Sequence, residues 1–288
     1  MRRLIRAELL KIRRRSATYI IAAVAIVLMV LVLLLVGVFL RDADQIIEFP
    51  SAYSFINQFA FGLGGLLAVV YAAAYVGADW NWGVVRNVVA RGEGRANYLL
   101  AKAVSLALVL AIFVVVMYVI GMAVLYLDGL VYNIGVASPL RARGLQDLFD
   151  NMVLGYPVLL ERAMLGFSVA VILRSQLAGA VVGVVLFLGE SIVRIGLTGL
   201  TLSTSVTNGG LGQNGLPLIG PEWYQFLPIS VGDYVIGAAP GNGVTLGGGL
   251  EQFLLRPVPL EQAFVAVVIY LVAALLLAIV ALNRQEIA

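Results

Sequence analysis

Four ionisable residues interrupt long apolar runs of this sequence: Glu161 and Arg162 in one run, Glu190 and Arg194 in the next. Charges in such surroundings are expensive and need partners. The turn Arg174-Ser175-Gln176 is so short that the helices flanking it must run antiparallel. Counting from Ser175 gives 14 residues back to Glu161, 13 to Arg162 and 15 forward to Glu190. At about 1.5 Å rise per residue, all three fall roughly 20 Å above the turn. Glu190 and Arg194 also share a helix face at i,i+4. The expected arrangement is a neutralised cluster in which Glu190 bridges Arg162 and Arg194, either a static interhelical clamp or a polar element of a substrate path. Other chemistry is scarce. With 0 Cys and 0 His, thiolate catalysis, disulfides and imidazole acid/base work are excluded, and no metal site or catalytic residue is expected.

These charges sit in a chain of 288 residues that is 61% hydrophobic and 12% charged, with a mean hydropathy of +1.00. A water-soluble fold cannot hide that much apolar surface. Apolar runs at about 17–40, 53–78, 98–127, 152–173, 177–197 and 262–283 reach the roughly 20 residues that cross a bilayer, so the fold class expected is an all-α integral membrane protein with six transmembrane helices. Residues 1–16 carry Arg2, Arg3, Arg6, Lys11, Arg13, Arg14 and Arg15 against one acid, Glu8. The positive-inside bias therefore places the N-terminus in the cytoplasm, and an even number of spans returns the C-terminus there. A multi-pass protein of the cell membrane follows, with the bilayer as partner and the basic pI of 9.2 assigned to membrane anchoring in place of nucleic acid.

Two segments of unequal size are expected: a cytoplasmic amphipathic helix over 1–16 and a six-span membrane domain over 17–288. Met1, Ile5, Leu9 and Ile12 make an apolar stripe on the first. Residues 198–261 read as a Gly/Pro-rich extracytoplasmic loop with sparse regular structure. Within it, PEWYQFLPISVGDYVIG suits either a short helix at the outer lipid interface or a packed lid. Gly62 and Gly65 in span two, and Gly179 and Gly183 in span five, are candidates for close helix approach, within the chain or in a dimer.

The stretch DWNWGVVRNVVARGEGRANYLLAK, Asp79 to Lys102, is a charged island between spans two and three. Asp79 can N-cap a helix that Gly92 ends, with Val84, Val85, Val88 and Val89 on one face and Gly83, Arg86, Asn87, Ala90 and Arg91 on the other. Such a helix lies along the membrane, its arginines meeting either anionic headgroups or a protein.

Asp79, Gly83, Arg86, Arg91, Arg95 and Lys102 occupy the slots of a pattern that resembles the coupling-helix region in permease subunits of type-2 ABC exporters. Ile5 to Arg15 is similar to that family's amphipathic N-terminal helix, and Val171 to Gly183 to its tight turn between spans four and five. Val84 departs from the usual Thr, and Asp79 from the common Glu. The resemblance implies a cytoplasmic coupling helix over about 79–95, in which Asp79, Trp82, Gly83, Arg86, Asn87, Arg91 and Arg95 contact a separate cytoplasmic ABC ATPase. Two copies of that ATPase, holding ATP and Mg, and a second permease subunit complete the implied assembly. The chain's lysines are Lys11, followed by Ile, and Lys102, followed by Ala, so it has no G-x-x-x-x-G-K-[ST] phosphate loop. It is expected to carry no cofactor and to be no enzyme, exporting a hydrophobic or amphipathic substrate. An ion-coupled secondary transporter and a non-transporting membrane subunit are the alternatives.

Overall fold

A computed structural model describes residues 1–39, 52–85, 94–132, 142–207, 223–240 and 258–285. Regular structure among the described residues is helical throughout. Helix α1 (Arg2–Arg14) ends where Arg15 turns extended, and α2 (Ser16–Phe39) starts at once. Lys11, Arg13 and Arg14 in the last turn of α1 suit its negative dipole end. Tyr53–Asn57, a π-helical turn at Gln58–Leu63 and Gly64–Asn81 run on as one rod, α3. Then come α4 (Arg95–Tyr132), α5 (Ala142–Leu173) and α6 (Gln176–Thr207). A 3-10 turn at Trp223–Phe226 leads into the short α7 (Pro228–Gly237), and α8 (Leu260–Arg284) closes the described chain.

Six of these, α2, α3, α4, α5, α6 and α8, are long and apolar enough to cross a membrane. They match the spans expected from the sequence, but several run further. Helix α5 starts at Ala142 rather than near 152, and α6 continues to Thr207, so the first ten residues assigned to the 198–261 loop are helical. Apolar patterning marks where a helix meets lipid, not where its backbone bonding stops.

The centre of the bundle is the α3–α5 pair, with α6 against α3 and α8 against α5, while α2 lies along α4. Close approach requires small residues. A Cβ at Gly166 would stand 2.2 Å from the Val69 carbonyl oxygen, and one at Gly77 would stand 2.5 Å from Gln176 Cα, so α3 seats directly against α5 and against the start of α6. The turn joining α5 to α6 is closed by Arg174, held at φ 52, the left-handed conformation that ends many helices. Residues 1–14 and 282–285 lie at the same end of the bundle as this turn. There Arg15 donates to the Tyr75 carbonyl and Gln285 to the Val171 carbonyl.

Candidate functional site

Two buried charge networks lie at different levels of the bundle, one at the end where α5 turns into α6 and the other near mid-bundle. The inner one centres on Lys102 in the second turn of α4. Its Nζ is 2.8 Å from Asp79 Oδ2 on α3 and 3.2 Å from Glu8 Oε2 on α1, and it stands 4.0 Å from the centroid of the Tyr75 ring. Tyr75 donates to Glu8 at 2.7 Å, Tyr98 donates to Asp79, and Lys11 pairs with Glu8 at 2.5 Å. Glu8, Asp79 and Lys102 are all buried. Burial pushes the Glu8 carboxyl up, but the Lys102 charge and the hydrogen bonds from Lys11 and Tyr75 outweigh it and hold the group below the ordinary carboxylate range. Two carboxylates, two ammonium groups and two phenols thereby join α1, the base of α3 and the base of α4.

Asp79 is therefore not the N-cap of a surface helix. It sits inside α3, which continues to Asn81 because Lys102 and Tyr98 satisfy its carboxylate there. Helix α3 ends at Trp82 and Gly83, the latter at φ +65 with open space around its Cα. Trp82 is exposed, with the Arg15 guanidinium 5.1 Å from its ring centroid. Val84 and Val85 follow, Val85 buried, whereas Arg86, Asn87 and Arg91 lie outside the described residues. Arg95 turns away from this stretch: its Nη1 donates to the carbonyls of Leu282, Asn283 and Gln285, capping the end of α8. The buried face of α1 keeps most of the expected stripe, with Ile12 buried and Ile5 and Leu9 half-buried, but adds an acid to it. It centres on Glu8 and Ile12, while Met1 is exposed. A sequence pattern that counts Glu8 as the lone acid among arginines hides it as the docking residue.

The outer network gathers the charges of α5 and α6, with a different bridge. Asp233 on α7 accepts from Arg162 Nη2 at 2.7 Å and from Arg194 Nη1 at 2.9 Å. Glu190 does not bridge the arginines; its Oε1 instead accepts from the backbone N–H of Ser230 at 2.7 Å and from the Ser230 hydroxyl at 3.1 Å. The equal depth of Arg162 and Glu190 holds, since both meet the same short helix. The correction has a simple cause: α7 packs against α5 and α6 at this depth, so its carboxylate reaches both guanidinium groups and its N-terminal turn takes the Glu190 carboxylate, as a helix start favours. Ile229, Ser230, Val231, Gly232, Val235 and Ile236 are buried, which makes this element packed rather than interfacial.

Arg162 is fully buried and also donates to the carbonyls of Phe61 at 2.7 Å and Ile229 at 3.3 Å. Phe61 belongs to the π-helical turn of α3. Widening of the i→i−4 ladder there leaves a carbonyl for a side chain from outside. Gly65 clears the way, because a Cβ on it would meet Arg162 Cδ at 2.7 Å. Glu161 is buried with neither carboxyl oxygen hydrogen-bonded among the described residues. Gly179 and Gly183 pack within the chain, against Ala170 of α5 and Val69 of α3, and Gly62 faces Gln58 of its own helix. A third polar layer went unread in the sequence. Asn57 donates to Asn151 and accepts from Tyr118, and Asn151 donates to the Pro240 carbonyl at 2.9 Å, tying α3, α4 and α5 to the chain after α7.

No group of three or more metal-ligating acidic residues occurs among the described residues. The fold and networks define, among the described residues, an all-helical protein with six helices long and apolar enough to cross a membrane and an amphipathic helix locked onto one end. The chain belongs to the family described as Protein of unknown function (DUF2705), which matches residues 39–205, more than half of its length. That match takes in Asp79, Lys102, Arg162, Glu190 and Arg194 but neither Glu8 nor Asp233. No curated protein matches the chain.

Proposed function

We propose that this chain is the membrane subunit of an ATP-driven transporter of the cell membrane, with both termini cytoplasmic. A separate ABC-type ATPase binds beneath the inner network, and the transported substrate is hydrophobic or amphipathic. The observation that carries this reading is the Glu8–Lys102–Asp79 network. It fastens α1 to the end of α3 and the start of α4, so a load applied at this junction reaches three helices at once. Strongly paired buried charges suit force transmission because separating them exposes an uncompensated charge. Arg86 and Arg91 offer charge-assisted bonds to the ATPase, and exposed Trp82 offers an apolar anchor. ATP and Mg belong to that partner, and a second permease copy completes a pathway that one bundle leaves open.

The test is co-purification from native membranes of the parent and of Arg86→Glu plus Arg91→Glu. A P-loop ATPase should accompany the parent in equal amounts and be lost from the variant. Retention at the parent's stoichiometry moves the contact elsewhere. An ion-coupled transporter is the second reading, favoured by the unpartnered Glu161 beside the outer network; it requires transport that survives without any ATPase.

A further inference from the structure

We propose that the crevice between α3, α5, α6 and α7 is a binding site for lipophilic cations, with Glu190 as the charge that selects them. The crevice holds about 380 Å³, at the small end of the range for ligand pockets. Its wall is apolar, with Leu165, Leu186, Phe187, Val193, Leu227 and Ile229 contributing, and Glu190 is the one acid among its lining residues. Val185, Leu186 and Val193 are exposed along one flank of α6, so the crevice opens sideways toward the bilayer, where lipophilic ions accumulate.

The charge arithmetic at this site favours a cation. Arg162 and Arg194 both pair with Asp233, and among the described residues no ion pair joins either of them to Glu190. The Glu190 carboxylate accepts hydrogen bonds from the backbone N–H and hydroxyl of Ser230 and from the Ile229 backbone, neutral partners that orient the group without cancelling its charge. A carboxylate on an apolar wall attracts a counter-charge that brings its own apolar surface, because small hydrated ions gain little from such a lining. Phe187 adds an aromatic ring to the same wall, with the Arg162 guanidinium 5.4 Å from its centroid. An anion is disfavoured twice: the arginines that would hold it are occupied, and Glu190 repels it.

The inference deepens the transport reading by naming a substrate class, but binding is measured on this chain without an ATPase, so the two fail separately. The probe is radiolabelled tetraphenylphosphonium bound at equilibrium to the purified chain in nanodiscs, with tetraphenylborate as the same-shaped anion. Saturable binding of the cation is expected, with no competition from the anion. Glu190→Gln keeps an acceptor oxygen for Ser230 and should weaken binding about tenfold or more while retaining the parent's thermal stability. Leu186→Trp narrows the crevice from its exposed flank and should weaken binding without touching any charge. Absence of saturable binding to the stable parent overturns the proposal, as do equal binding of the anion or parent-like affinity in both variants. Disulfide formation between copies carrying Leu186→Cys, together with no cation binding, would show that a second copy covers the crevice and would also overturn it.

Discussion

The inner and outer networks are built from similar groups yet differ in what completes them. At the inner end, Lys102 is enclosed by Glu8, Asp79, Tyr75 and Tyr98, with its side chain and both carboxylates almost wholly shielded. In the outer network, two arginines share one carboxylate, Asp233, which keeps 21% of its side-chain surface exposed and rides on a ten-residue helix. Solvent reaches one and not the other. The inner network is therefore a fixed joint, and the outer one is the place where a short element can leave its partners at modest cost.

Breaking the joint gives the largest effect. Lys102→Met strands two buried carboxylates and should cost about 3–5 kcal/mol of stability, read as a lowered unfolding midpoint in detergent. Adding Glu8→Gln and Asp79→Asn should restore much of it. A single variant as stable as the parent would mean that water already reaches Lys102.

Next comes the outer bridge. Asp233→Asn should cost about 1–3 kcal/mol and raise hydrogen exchange across α7, less than the inner loss because Asp233 is partly solvated. A double-mutant cycle sharpens the point: Arg162→Gln should couple strongly to Asp233→Asn and weakly to Glu190→Gln. The reverse ranking would restore the bridge expected from sequence.

The pH dependence of the joint has a definite sign. Glu8 is held below its ordinary value of 4.5, so its contribution to docking α1 is complete above about pH 4.5 and is lost as pH falls through the lowered value. A spin label at Leu10→Cys, in a chain with 0 native Cys, should gain mobility on that descent. Glu8→Gln should leave the label mobile throughout. The smallest effect belongs to Arg95→Ala, which removes bonds to the end of α8 and should cost about 1 kcal/mol or less, confined to fraying of that helix.

Much of this comparison was readable from residue order, and the rest was not, for identifiable reasons. Six apolar runs announced the spans because lipid solvation acts on local composition. The equal depth of Arg162 and Glu190 followed from helical rise across a short turn. Asp233 was missed because its proximity to Arg162 depends on how α7 folds back over the bundle, which no periodicity records. Asp79 was misread for a related reason: beside a charged segment an Asp resembles a cap, and Lys102, 23 residues on, decides otherwise. Glycine motifs announced close approach, but Gly65 serves an arginine and Gly179 an alanine of the same chain.

The measurement that bears most directly on the central claim is ATP hydrolysis by the complex captured through this chain and reconstituted in liposomes. Vanadate-sensitive hydrolysis should co-elute with the parent chain and disappear from preparations of Arg86→Glu plus Arg91→Glu that retain the parent's unfolding midpoint. Hydrolysis at the level of mock preparations lacking the chain, from membranes in which the parent is folded and abundant, would contradict the account.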